Sequence, residues 1–251
     1  MRHRSSLRAI ALGLALMFSM KLGFADDFVK PLFERVPSQL QIEELNGNLP
    51  GAAGGGLTPK PIIQLALDLI KAYEGWSSNA YDDPANYCTI GYGHLIKKDR
   101  CANIDLKKVN FSELLTEKEG NTLLAADTKA ARLIIQRLVK VDLTKQQFGA
   151  LTSFVFNIGG ANFSGSRALA FLNENDFDHA TTEMRKWVHA KGKKLAGLVS
   201  RRNCEVVLFK TGTLSRTTAG EVDIQACGSA AAGAPEITEM IDIETGQAVT
   251  P

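Results

Sequence analysis

Downstream of Pro61, apolar residues recur at helical intervals: Ile62, Ile63, Leu65, Ala66, Leu69, Ile70 and Tyr73. That spacing predicts a helix with one core-facing side. It opens at Thr58, which can cap, or at Pro61, which is tolerated in a first turn, and Gly75 ends it, leaving Glu74 at the carboxyl end. The pattern then breaks. Residues 79–94 are crowded with Tyr, Thr, Asp, Asn and Gly, and Asp83-Pro84-Ala85-Asn86 has turn chemistry between short strand-like runs, so a small hairpin sheet is expected.

Helical spacing returns at Thr116. Thr116-Glu117-Lys118-Glu119 matches a capping box, and the helix runs through Leu123, Leu124, Ala130, Ala131, Ile134 and Ile135 to about Leu138. The next starts near Leu143-Thr144, turns Phe148, Leu151, Thr152, Val155 and Phe156 inward, and stops at Gly159-Gly160. Two more are expected over about 165–173 and 177–188, and a last over roughly 198–210, ended by Gly212. One sheet with five or six helices makes an α+β protein.

The flanks of this body read differently. Residues 1–25 combine an arginine-bearing start, an apolar run from Ala9 to Met20 and Gly23-Phe24-Ala25, the layout of a secretory signal cut after Ala25. The run is short of the roughly 20 residues of a membrane span, so export to the periplasm or medium is expected, with a retained anchor as the alternative and no stable span once the signal is removed. Residues 26–56 end in Pro50-Gly51-Ala52-Ala53-Gly54-Gly55-Gly56 and read as an acidic, glycine-rich linker. No Gly-Lys-Ser/Thr follows that cluster, so it is not a phosphate loop. Residues 228–251 read as a flexible tail, which leaves 57–227 as the compact domain.

Charge sharpens this division. The 251 residues carry a net +2, but residues 57–216 hold 23 basic against 16 acidic groups, while 26–56 and 217–251 together hold two against eleven. A basic body suits a polyanionic partner. No RNA- or DNA-reading motif accompanies it, so nucleic acid is not an expected partner. In an exported chain the four cysteines, Cys88, Cys101, Cys204 and Cys227, are expected to form disulfides. Three pairings are open, and sequence order favours Cys88 with Cys101 and Cys204 with Cys227. No CxxC is present and His3, His94, His179 and His189 lack ligand spacing, so no metal is expected.

Chemistry concentrates around Glu74. A carboxyl desolvated by helix packing keeps its proton and can serve as a general acid, while a better hydrated partner, Asp82 or Asp83, stays ionised. Breaking a glycosidic bond needs that division. Equally, Glu74 could be a solvated helix-end residue and the aspartates part of a turn.

The stretch Glu74-Gly75, Tyr81-Asp82-Asp83 and Thr89-Ile90-Gly91-Tyr92-Gly93-His94 resembles the signature of phage-type lysozymes, the endolysin muramidases: Glu, eight residues, Asp, five residues, Thr. Counting from Glu74 lands on Asp83 and Thr89, with Asp82 one place short. The likeness continues through Leu143-Thr144-Lys145-Gln146-Gln147-Phe148 and Ser153-Phe154-Val155-Phe156-Asn157 to Gly197-Leu198-Val199-Ser200-Arg201-Arg202 with Glu205, over about residues 60–212.

The resemblance implies a lysozyme-like α+β fold, a small sheet beside a helical lobe with the active site in the cleft between them. It implies a monomeric peptidoglycan muramidase without metal or organic cofactor. Glu74 would be the acid, Asp83 the second carboxylate and Thr89 a hydroxyl near the attacking water, the geometry of an inverting enzyme. Asn157 would meet the sugar and Arg201 would lean on the glutamate, although Arg201 could instead pair with Glu205 one turn on. His94 is expected to brace the hairpin, and Trp187, Phe148, Phe154 and Phe156 to lie in the core. A Cys88–Cys101 bridge would staple the loop carrying Thr89. The alternatives are a catalytically silent module that binds peptidoglycan or a partner, and a lytic transglycosylase, which usually dispenses with the second carboxylate.

Overall fold

The structure is a computed structural model that describes residues 57–230 and 237–249. The expected signal segment and linker lie outside the described residues. The first helix, α1 (Gln64–Lys71), buries Ala66, Leu67, Leu69 and Ile70. It starts later than either expected opening, because Ile63 is still extended. Pro61 accounts for the failure of the Thr58 opening, since the residue before a proline, here Lys60, avoids helical backbone. The extended lead-in is secured from outside: Gln136 accepts from the Lys60 amide at 2.7 Å and donates to the Thr58 carbonyl, and Arg132 donates to the Lys60 carbonyl at 2.6 Å.

Three antiparallel strands follow, β1 (Ser77–Asp82), β2 (Cys88–Gly91) and β3 (His94–Lys97), with Tyr81 opposite Thr89 and Ile90 opposite His94. The loop after β3, with a single 3-10 turn at Cys101–Asn103, is tied back onto the sheet by the Cys88–Cys101 disulfide.

The expected long helix from Thr116 is two helices, α2 (Glu117–Asp127) and α3 (Lys129–Leu138). Its capping box is formed as read, by Thr116 and Glu119. The break sits at Thr128, a buried residue whose hydroxyl donates to the Ala125 carbonyl at 2.9 Å, alongside Arg132 at 2.8 Å. A threonine that bonds the preceding turn competes with the helical ladder.

Next comes α4 (Lys145–Ile158), capped by Thr144 and Gln147 and buried without interruption from Phe148 to Ile158. A helix buried on every side belongs at the centre of a lobe, and the polar Thr152, Ser153 and Asn157 are buried with it. Around it pack α1, α3 and α8 (Ala196–Thr211), while α5 (Gly160–Ser164), α6 (Arg167–Asn173) and α7 (Phe177–Arg185) close the far side. Phe154 meets Phe163 and Trp187 edge-on, and Phe148 and Phe156 are buried, so these aromatics are core as expected. Gly212, in the left-handed region at φ 74°, ends α8. A ninth helix, α9 (Ile224–Ala230), was not foreseen, and Cys227 on it bonds Cys204 on α8.

Two expectations are corrected at the carboxyl end. The helix over 177–188 stops at Arg185, because Trp187–Ala190 is strand β4. Part of the segment read as a loose tail is also structured. Its β6 (Met240–Asp242) runs parallel to β4 and pairs with β7 (Ala248–Val249), while β5 (Lys193–Lys194) borders the other side. The molecule therefore has a second sheet, in the order β5-β4-β6-β7. Ile243 is buried there, and the Asp242 carboxylate accepts from the amides of Gly192 and Glu244 at 2.8 and 2.7 Å. Among the described residues no helix is long and apolar enough to cross a membrane.

Candidate active site

Glu74 follows α1 in a tight turn whose amide bonds back to the Ile70 carbonyl at 3.1 Å. The turn carries the side chain inward, where the residue is only 9% exposed and the Arg201 guanidinium lies 2.7 Å from Oε1. Burial pushes the Glu74 carboxyl above the ordinary glutamate range, and the charge of Arg201 only partly opposes it. The opposition is partial for a visible reason. Arg201 also bonds Glu205 Oε1 at 3.2 Å, so one cation serves two carboxylates. Arg201 thus pairs with Glu205 one turn on and also contacts Glu74.

The hairpin carries the second group. Asp83 Oδ1 accepts from the Ala85 and Tyr87 amides at 2.9 and 2.8 Å, and its backbone closes the same turn on Tyr87. Asn86 takes the left-handed conformation, φ 61°, that lets the turn tighten around the carboxylate. Among the described residues no donor meets Oδ2, which is left for solvent or a ligand. Thr89, 1% exposed on β2, donates its hydroxyl to the Tyr87 carbonyl at 3.1 Å, so it sits under the same turn.

Asp82 faces elsewhere. It accepts from the Cys101 amide at 2.6 Å and lies 3.7 Å from Arg100, which makes it a fastener of the disulfide-bonded loop. His94 braces its strand: Nδ1 is 3.0 Å from Asp127 at the end of α2.

Three further residues join the constellation without having been singled out for a role. Tyr81, opposite Thr89, has a phenol pushed well up, by burial first and then by the charges of Asp83 and Glu74, so it senses both carboxylates. Its signal was strand alternation, two residues before Asp83. Ser153 on α4 donates to Glu205 at 2.7 Å and stands within 3.4 Å of Arg201. Arg202 is buried, 3.2 Å from Glu205 Oε2, and donates to Asn157 Oδ1 at 2.5 Å. Helical spacing from Ser153 to Asn157 and from Arg201 to Glu205 was the available cue. Among the described residues, no group of three or more His, Cys, Asp or Glu side chains could hold a metal ion.

A family model for phage lysozyme matches residues 71–205, more than half of the chain. The chain belongs to the phage lysozyme family. The span of that phage lysozyme match takes in Glu74, Asp83, Thr89, Asn157, Arg201 and Glu205 and stops before α9 and the β6–β7 hairpin. An endolysin of Acyrthosiphon pisum secondary endosymbiont phage 1 is 35% identical over 154 residues, which are 60% of this chain and 98% of that protein. An endolysin of Bacillus phage B103 is 36% identical over 153 residues, 60% of this chain and 54% of that protein, so the chain spans about half the length of this relative. Among solved structures, the muramidase domain of SpmX from Asticaccaulis excentricus superposes with a TM-score of 0.51 at 32% identity, covering 60% of this chain and 97% of that one. These likenesses accord with the lysozyme-like α+β fold.

Proposed function

We propose that this phage lysozyme relative is an exported muramidase that hydrolyses the β-1,4 bond between N-acetylmuramic acid and N-acetylglucosamine in peptidoglycan. The observation that carries the reading is the contrast between two carboxyls. Both residues are 9% exposed, so Asp83 is no better hydrated than Glu74; what differs is their partners, and at Glu74 burial holds the proton above the ordinary range. Asp83 accepts two backbone amides through Oδ1, and among the described residues Oδ2 meets no donor. In this reading Glu74 protonates the leaving glycosidic oxygen. Asp83 Oδ2 and the lone pairs of Thr89 orient a water on the opposite face of the sugar, and the product anomer is inverted. Asn157 contacts the saccharide. Export rests on residues 1–25.

The test is cleavage of purified peptidoglycan, followed by mass spectrometry of the released fragments. Glu74→Gln keeps the shape and removes the transferable proton, so cleavage should fall by about 100- to 10,000-fold. Asp83→Asn should be severe. Asp82→Asn should be mild, because an amide oxygen still accepts from Cys101 and only a half-exposed ion pair with Arg100 is lost, about 0–1 kcal/mol. Near-normal cleavage by Glu74→Gln, or a greater loss at Asp82 than at Asp83, would overturn the assignment. Fragments with retained anomeric configuration would keep the residues and replace the inverting route.

A further inference from the structure

An asparagine amide has two unlike ends, an oxygen that accepts and an NH2 that donates. At most sites which end faces where is open to a flip. At Asn157 it is not. Its neighbour is Arg202, a guanidinium that can only donate, and the atom it meets at 2.5 Å must be Oδ1. Arg202 is closely surrounded, and among the described residues its Nε and Nη1 have no hydrogen-bond partner. It is fully buried, lies 3.2 Å from Glu205 Oε2, and rests over the Phe154 ring at 4.9 Å. Glu205 is held in turn by Ser153 and Arg201. Burial lowers the Arg202 guanidinium to about 10, against the opposing pull of Glu205, so it stays charged at neutral pH.

The other end of the amide is uncommitted. Among the described residues Nδ2 has no acceptor, and Asn157 is 7% exposed. Asn157 stands one helical turn beyond Ser153, whose Oγ lies 3.4 Å from the Arg201 guanidinium that also holds Glu74.

We propose that Arg202 is a positioning residue that turns the Asn157 amide so that only its NH2 faces the saccharide, making this position a donor-only subsite for the acetamido carbonyl oxygen of an amino sugar. That carbonyl is the amide acceptor common to both sugars of the polymer, whose hydroxyls donate as well as accept. The inference rests on the muramidase reading for the nature of its ligand. It goes beyond that reading in naming the end of the amide that binds, the group bound and the residue that fixes the choice.

Binding is measured without turnover, in the full chain carrying Glu74→Gln, by calorimetry with chitotriose and, as a control lacking acetamido groups, cellotriose. Asn157→Asp is the key variant. It keeps size and the acceptor for Arg202, and replaces the free NH2 with a second acceptor. A site built to donate and left facing an acceptor rejects its ligand strongly. Chitotriose affinity should drop at least about 10-fold while the thermal midpoint holds, and cellotriose should bind weakly to both forms. Arg202→Lys keeps the charge beside Glu205 but loses the planar fork. It should weaken chitotriose binding and shift the Asn157 side-chain NH2 resonances. In an Asn157→Asp background it should cost little more, because residues that act through one another are not additive.

Unchanged chitotriose affinity in Asn157→Asp would overturn the donor subsite. Additive losses, or unmoved NH2 resonances in Arg202→Lys, would overturn the positioning role. Equal affinity for cellotriose would overturn the acetamido assignment. Wall cleavage by the unsubstituted chain, run in parallel, tests the muramidase reading alone: loss of chitotriose binding in Asn157→Asp supports the subsite whether or not the wall is cut.

Discussion

At the scale of single residues, Glu74 couples the proposed chemistry to stability. Its carboxyl binds a proton more tightly in the fold than in the unfolded chain, where the ordinary value is 4.5. The fold therefore has this group's full stabilisation below that value, and loses it as pH rises from there through the raised value. Glu74→Gln should remove that slope. Thermal midpoints across pH 4 to 8 should show the variant equal to or above the native chain at neutral pH, with the gap closing in acid. Glu205 supplies the matching activity prediction. It repels a charge on Glu74 and takes a share of Arg201, so Glu205→Gln leaves Arg201 to Glu74 and lowers the Glu74 value. The alkaline limb of the cleavage rate against pH should move to lower pH, with near-ultraviolet dichroism confirming that the variant is folded. An unmoved limb would separate Glu205 from Glu74.

Among the secondary-structure elements, the fit between α2 and the start of the first sheet can be probed at one atom. A Cβ on Gly120 would fall 2.3 Å from Trp76 and 3.4 Å from Tyr92. Trp76 packs on Tyr92 with ring centroids 4.7 Å apart and lies two residues after Glu74. Gly120→Ala should cost about 1–3 kcal/mol by overpacking, read as a lower denaturation midpoint, and should blue- or red-shift the Trp76 fluorescence as the indole moves.

This is also the scale at which sequence legibility divides. The capping boxes at Thr116 and Thr144 and the stop at Gly212 were readable, because each signal spans only a few neighbouring residues. The break at Thr128 was not, since an apolar pattern continues across it and only the hydroxyl's partner reveals the interruption. Trp187–Ala190 is buried along its whole length and so lacks the alternation that marks a half-exposed strand. In the candidate site, Glu74, Asp83 and Thr89 were picked out by the resemblance to the phage-type lysozyme signature, since their spacing alone left a solvated helix end and a turn open. Ser153, Arg202 and the double duty of Arg201 depended on how α4 and α8 face each other, which neither helix states alone.

Considered as a whole molecule, the chain adds to the family's span a carboxyl-terminal hairpin that is woven into the helical lobe. Ile241 and Ile243 donate to the carbonyls of Lys186 and His189, and Asn162 donates to the Ile243 carbonyl at 2.7 Å. Ending the chain at Ala230 would remove Ile243, whose burial stabilises by about 1.5–3 kcal/mol. At roughly 2–4 °C per kcal/mol for a domain of this size, the thermal midpoint should fall by about 3–12 °C. Light scattering should rise too, because β4 would gain an unpaired edge. A truncated chain as stable and as monodisperse as the full one would show the hairpin to be ornamental.

The parallel pairing of β4 with β6 also sets a schedule. A chain is made from its amino end, and β6 begins about 50 residues after β4 is complete. At roughly 5–20 residues per second, β4 and the proposed groups Glu74, Asp83 and Thr89 are made about 3–10 seconds before the strand that covers β4 begins, and α8 and α9 are made within that interval. During that interval the lobe presents an open backbone edge beside Trp187 and Val188. The pairing of β4 with β6 thus closes after every described helix has been made, and the partly made protein is at its most vulnerable to self-association while β6 is still to come.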